Sequence, residues 1–131
     1  MIRATLDSNI LISAMEFQGI GSRLIGMARA GTIRFDTSDA IPDETIGVLR
    51  DKFRWDGYRL HFARIELWNI ANCVSPQESL AVADDPDDDR ILECAVAAGS
   101  DIIITRDNDL LRLREYRGIK IMTPDQFLAP D

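Results

Sequence analysis

Asp101-Ile102-Ile103-Ile104-Thr105-Arg106-Asp107, running on into Asn108-Asp109-Leu110-Leu111, is the stretch that decides the fold. Three isoleucines in a row leave no polar face. Asp101–Thr105 therefore reads as a strand buried on both sides, the habit of parallel sheets covered by helices. The chain turns polar at Arg106 and Asp107, and a short helix follows over Asn108–Arg114. Upstream, Pro86–Ala98 has helical periodicity and stops at Gly99, where a left-handed cap suits glycine. Downstream, Ile119–Met122 reads as a strand and Pro124–Leu128 as a final helical turn.

The same alternation extends back to the N-terminus. Ile2–Leu6 is a strand, followed by a helix over Ser8–Met15 with Asp7, Ser8 or Asn9 as its cap. Ser22–Ala30 is helical and ends at Gly31; Thr32–Thr37 alternates like a strand. Ser38–Phe53 is helical with Pro42 in its first turn, where proline is tolerated. Tyr58–Asn72 is a helix with a wide apolar face, and Cys73–Ser75 a short strand. Strands alternating with helices predict an α/β fold, a parallel sheet wrapped by helices. No repeat or linker interrupts the 131 residues, so residues 1–131 are expected to form one domain.

Composition narrows the chemistry. Hydrophobic residues make up 46% and charged residues 28%, which excludes a disordered chain. No apolar run approaches the ~18 residues of a membrane helix. The N-terminus lacks the basic and apolar regions of a secretory signal, and the cysteine usage makes a reducing cytoplasm the expected compartment. Two cysteines, Cys73 and Cys94, make no disulfide framework and are expected to be buried thiols. With one histidine, His61, a metal would have to be held by oxygen, which points to Mg²⁺ or Mn²⁺. The net charge of -7 argues against a simple nucleic-acid coat but not against an enzyme with an acidic pocket. Thirteen of the 15 basic residues are arginine, suited to bidentate phosphate contacts.

In open α/β sheets, sites form beyond the carboxyl ends of the strands. Asp7 immediately follows the first strand and Asp107 closely follows the isoleucine strand. Each is equally well read as a helix cap. Asp84, Asp85, Asp87, Asp88 and Asp89 crowd a helix start, where the macrodipole favours acids. Register singles out Asp88: Ile91, Leu92, Ala95 and Gly99 mark the buried stripe, and Asp88 lies on it. Asp87 and Asp89 flank the stripe, with Asp85 a turn further back. On the Ser38 helix, Ile41, Thr45, Val48 and Leu49 form the inner face, and Glu44 falls among them. A snorkelling or capping role for Glu44 stands beside that reading. If Asp7, Glu44, Asp88 and Asp107 converge, each close pair repels by about 3–4 kcal/mol at an effective dielectric near 20. A divalent cation removes that cost. Neutralising four charges would bring the net from -7 to -3, so much of the acidity would be local.

These residues resemble a known family. The first strand with Asp7-Ser8-Asn9, Glu44 with Val48-Leu49, Asp85-Pro86-Asp87-Asp88 with Leu92 and Ala95, and Ile102–Asp107 with Leu110-Leu111 are similar to the PIN domain. More narrowly they resemble bacterial PIN proteins classed as toxins of toxin–antitoxin systems (VapC-like), over Ile2 to about Phe127. The resemblance implies a three-layer fold with about five parallel strands and Mg²⁺- or Mn²⁺-dependent cleavage of RNA. Its acidic quartet maps onto Asp7, Glu44, Asp88 and Asp107, with Thr105 and Asn9 as its polar companions. Asp43 beside Glu44 and Asp89 beside Asp88 leave the register open by one. An antitoxin partner and a homodimer are further expectations.

On that basis Asp7 and Asp107 would bind one or two ions, Asp88 would bind directly or through water, and Glu44 would orient water. Ser8, Asn9 and Thr105 would hydrogen-bond ligands and water, though capping explains Ser8 and Thr105 equally well. Asp85 stands near this group. Arg106 would hold a substrate phosphate or dampen the site. Arg23, Arg29, Arg50, Arg54 and Arg112 are rim candidates for drawing in RNA. His61 reads as a surface or packing residue. Trp55 and Trp68 read as packing, and Phe62, Ile65 and Leu67 suggest an interface as well as a core. Two other classes compete. One is a receiver or phosphatase-like phosphoryl domain, which wants a Lys near a late strand, where only Lys120 is available. The other is a non-catalytic binding module.

Overall fold

The computed structural model describes residues 1–129. Its strands are β1 (Ile2–Leu6), β2 (Ile33–Thr37), β3 (Ala71–Cys73), β4 (Ile102–Ile104), β5 (Glu115–Tyr116) and β6 (Ile119–Met122). The helices are α1 (Ser8–Glu16), α2 (Ile20–Arg29), α3 (Ala40–Asp51), α4 (Gly57–Ile70), α5 (Pro86–Ala98), α6 (Asn108–Leu111) and α7 (Pro124–Leu128). They form one six-stranded sheet in the order β3-β2-β1-β4-β6-β5. All neighbouring strands are parallel except the β5–β6 hairpin.

Three expectations need correction. The strand placed at Cys73–Ser75 lies two residues earlier, because Asn72 and Cys73 pair with Asp36 and Thr37 and the chain leaves the sheet after Val74. The helix after Asp107 ends at Leu111 rather than Arg114, which has a positive φ of 62°. Beyond it β5 forms a two-residue edge that propensity did not reveal; its pairing with β6 across Arg117-Gly118 defines it. Other boundaries follow local chemistry. Gly99 caps α5 at φ 67°, and Thr123 with Gln126 makes a reciprocal capping box on α7. Gly21 lets α2 approach α1: a Cβ there would meet the Ile10 carbonyl oxygen at 2.8 Å.

The sheet's strand order determines where its crevice lies. From β1 the chain proceeds to β2 and β3 on one side; from β4 it proceeds to β6 on the other. The carboxyl ends of β1 and β4 are thus neighbours from which the chain departs in opposite directions. That is the switch point at which open α/β sheets bind ligands. Leu6 pairs with Ile104, and the Asp7 N–H donates to the Ile104 carbonyl at 3.0 Å. The main core lies along these strands: Ala4, Leu6, Phe35, Ile103 and Ile104 are fully buried against Ile10, Leu11, Ile91 and Leu92. A smaller cluster of Ile12, Ile46, Leu49, Leu60 and Ala63 joins α1, α3 and α4.

Helix α4 divides its apolar residues unevenly. Leu67 is core, while Tyr58, Phe62, Ile65 and Trp68 are exposed, and so is His61. Trp55 packs at the foot of α4, its indole N–H donating to Glu16 at 2.6 Å and its ring stacked by Arg59. Cys94 is buried, as expected, and burial pushes its thiol up to about 12. Cys73 is only half-buried.

Candidate active site

The end of β1 supplies Asp7, which is the N-cap of α1 and only 4% exposed. Its Oδ2 accepts from the Thr105 hydroxyl at 2.6 Å; its Oδ1 accepts from the Ser8 hydroxyl at 3.2 Å and the Asn9 N–H at 3.4 Å. The cap reading and the site reading therefore describe one side chain. Burial raises the Asp7 pKa above the usual carboxylate range, and the charge of Asp107 adds to this, against the hydrogen bonds of Thr105, Asn9 and Ser8.

The Thr105 hydroxyl also accepts from the Asp107 N–H at 2.9 Å. One buried hydroxyl thus ties the exit of β1 to the exit of β4. Asp107 caps α6, its Oδ1 accepting from the Asp109 N–H at 2.8 Å. Carboxylate oxygens of Asp88, Asp107 and Asp109 lie within 4.8 Å of one another. Asp109 was not among the expected residues; its signal was the two-residue spacing from Asp107 across the first turn of α6.

Asp88 enters from the first turn of α5, 5% exposed, as its place on the buried stripe predicted. One of its oxygens, Oδ2, is buried with no hydrogen-bond partner. Burial is the first cause that lifts its pKa, up to about 8; the hydrogen bond to Asp107 and the charges of Asp107, Asp7 and Asp85 raise it further. Asp89 is also buried but faces elsewhere, accepting the Val82 and Ala83 N–H groups. Of these two neighbours, Asp88 is the one whose carboxylate lies beside Asp107.

Glu44 is half-buried on α3, at the margin of the group. Burial raises its pKa, as do the charges of Asp87, Asp7 and Asp85, while a hydrogen bond with Ser8 lowers it. Ser8 therefore stands between Asp7 and Glu44. Asp43, its sequence neighbour, points outward and pairs with Arg64 at 2.8 Å. Asp85 is the exposed N-cap of α5, its side chain accepting from the Asp87 N–H at 2.9 Å. Asn9 and Arg106 are exposed. Among the rim arginines, Arg29 pairs with Glu66, Arg50 with Asp51 and Arg112 with Asp109.

The chain from residue 3 to 109 matches the family model of the PIN domain. This chain belongs to the PIN domain family. Among solved structures the PIN domain described here superposes on VapBC2 from Rickettsia felis, bound to a DNA fragment from its promoter. The TM-score is 0.62 at 14% identity, over 92% of this chain and 97% of that one. It is also similar to VapBC-1 from nontypeable Haemophilus influenzae, with a TM-score of 0.63 at 17% identity over 94% and 98% of the two chains. No curated protein matches the sequence.

The PIN domain's donor set suits a hard divalent cation. The carboxylates that meet at the switch point offer only oxygen, and the orphaned Asp88 Oδ2 is the kind of buried acceptor such an ion satisfies. The phosphoryl-transfer alternative fares worse. Lys120 is exposed and pairs with Ile102, two residues back from the exit of β4.

Proposed function

We propose that this PIN domain is an Mg²⁺- or Mn²⁺-dependent endoribonuclease, the toxin of a bacterial toxin–antitoxin pair, working in the cytoplasm. The observation that carries the catalytic reading is the meeting of Asp88, Asp107 and Asp109 carboxylate oxygens within 4.8 Å at the sheet's switch point, with the Oδ2 of Asp88 buried and unpartnered. Folding a chain around unpaired buried acids is costly unless something cationic completes them. The VapBC complexes whose fold it shares support an antitoxin as partner. The exposed Tyr58, Phe62, Ile65 and Trp68 of α4 offer an apolar face for a second copy. Among the described residues no helix is long and apolar enough to cross a membrane.

Asp7, Asp88 and Asp107, with Asp109 beside them, would hold the cation, and Glu44 would orient water at its edge. When bound, the ion acidifies water and offsets charge on the leaving oxygen of a phosphodiester. Thr105 keeps Asp7 and Asp107 in mutual register through its two hydrogen bonds. Ser8 donates its one hydroxyl proton to Asp7 and stands beside Glu44. Burial and the neighbouring acids lift the Asp88 carboxyl to about 8, so a cation bound there would compete with its proton. Arg106, exposed one residue before Asp107, would meet a phosphate of the incoming strand. Phosphate contacts of this kind weaken with added salt, so cleavage should slow as salt is raised.

The test is incubation of the pure protein with a mixed RNA pool, with Mn²⁺ or with chelator, beside Asp7→Asn. The expected result is cleavage that needs Mn²⁺ and disappears in the variant. Cleavage that resists chelator, or that survives Asp7→Asn, overturns the assignment.

A further inference from the structure

Asp89 is the acid that the site does not use, yet it is as buried as Asp88, at 4% exposure. A buried carboxylate is costly unless its oxygens are satisfied. Asp89 meets that condition in an unusual direction, away from the other acids. Its Oδ1 accepts two consecutive backbone N–H groups, Val82 at 2.9 Å and Ala83 at 2.8 Å. One turn further along α5 lies Glu93, also buried, whose Oε2 accepts the Leu80 N–H at 2.7 Å and pairs with Arg90. Residues four apart lie on one helix face. Three backbone N–H groups of the segment entering α5 are thus clasped to α5 itself.

What this clasp holds is the approach to the acidic pocket. Ala83 is two residues before Asp85, which caps α5 through the Asp87 N–H and whose carbonyl accepts the Asp88 N–H at 3.0 Å. Asp88 then brings a carboxylate oxygen within 4.8 Å of those of Asp107 and Asp109, and its Oδ2 is buried without a partner. We infer that Asp89 is a positioning residue: by accepting the Val82 and Ala83 N–H groups it fixes the first turn of α5 and so aims Asp88 at the cation. The inference rests on the metal-dependent reading above and adds to it a residue that touches neither ion nor RNA. Its role is that of a hydrogen-bond acceptor, not of a charge, and this makes it separable from Asp88. An asparagine can accept both N–H groups through its carbonyl oxygen; an alanine can accept neither.

The experiment is calorimetric titration of Mn²⁺ into the full chain, with amide exchange read at Val82 and Ala83. Asp89→Ala should weaken Mn²⁺ binding about tenfold, the scale on which outer partners of metal ligands act, and should speed exchange at both amides. Asp89→Asn should bind Mn²⁺ as the wild type does and keep both amides protected, whereas Asp88→Asn should lose binding. If Asp89→Ala merely melts earlier but binds Mn²⁺ like the wild type, the inference falls while the metal site stands. If Asp89→Asn loses binding as Asp88→Asn does, Asp89 acts through its charge and the inference falls as well. Should Asp89→Ala not fold, the contrast between the two asparagine variants decides alone. A wild type that binds no Mn²⁺ sinks the nuclease reading and this inference with it.

Discussion

Two aspartates buried in one sheet have opposite surroundings. Asp36, on β2, is fully buried and fully employed. It accepts from Arg34 at 2.7 and 3.2 Å, from the Asn72 amide at 3.0 Å and from the Ser100 hydroxyl at 2.6 Å; Ser100 in turn lies 2.8 Å from the Thr5 hydroxyl. Asp88 is nearly as buried, but one oxygen has no partner and its nearest companions are other acids. Burial is therefore not what distinguishes a working carboxylate in this chain. A paired acid knits β2, β3 and the β4 approach together; an unpaired acid among like charges leaves a deficit that a cation can fill.

The contrast makes graded predictions. Asp36→Ala should cost about 3–5 kcal/mol in urea unfolding, because it leaves the Arg34 guanidinium, the Asn72 amide and the Ser100 hydroxyl without their acceptor. The partial exposure of Arg34 places the value at the lower end. Asp88→Asn should do the reverse: RNA cleavage should fall at least about 100-fold, while above about pH 8, where the wild-type carboxyl is charged among like charges, the melting temperature in chelator should rise. If both variants destabilise the protein alike, the distinction between the two acids fails.

The pH dependence sharpens the comparison. Asp88, Asp7 and Glu44 all hold their protons more tightly in the folded chain than an ordinary carboxyl does, Asp88 up to about 8. Between the usual carboxylate range and about pH 8 the folded protein therefore binds more protons than the unfolded one. Its stability must then fall as pH rises through that window, by no more than about 1.4 kcal/mol per pH unit for each proton. Melting curves in chelator should show this decline, and saturating Mn²⁺ should flatten it; a rise in stability over the same window would contradict the unpaired state of these acids. The smallest effect belongs to the surface. Arg50 and Asp51 pair at 2.8 Å but are 61% and 70% exposed, so Asp51→Ala should leave the melting temperature where it is.

Much of the architecture was legible before any coordinates. The isoleucine run, the Gly99 cap and the proline at the start of α5 determine their elements through neighbours a few residues away. The stripe of Ile91, Leu92 and Ala95 was enough to turn Asp88 inward, because a helix converts sequence spacing directly into direction. Short strands were less legible. β3 and β5 are three and two residues long, and their bounds depend on which partner strand reaches them rather than on their own composition. Asp109 was missed, and Asp89 was left as an alternative to Asp88, for a related reason. At a helix start one acid looks like another, and only the packing of distant segments shows which oxygen meets a backbone N–H and which meets another carboxylate.

The chain alone, then, determined an α/β sheet with acids at the strand exits, since hydrophobic period and local caps act over a few residues. Tertiary structure decided that β1 and β4 lie side by side at the switch point, linked through Thr105. It also decided that Asp88 faces Asp107 while Asp89 turns to the backbone of Val82 and Ala83. Those pairings join residues far apart in sequence, and the energy of a buried charge depends on what surrounds it in space.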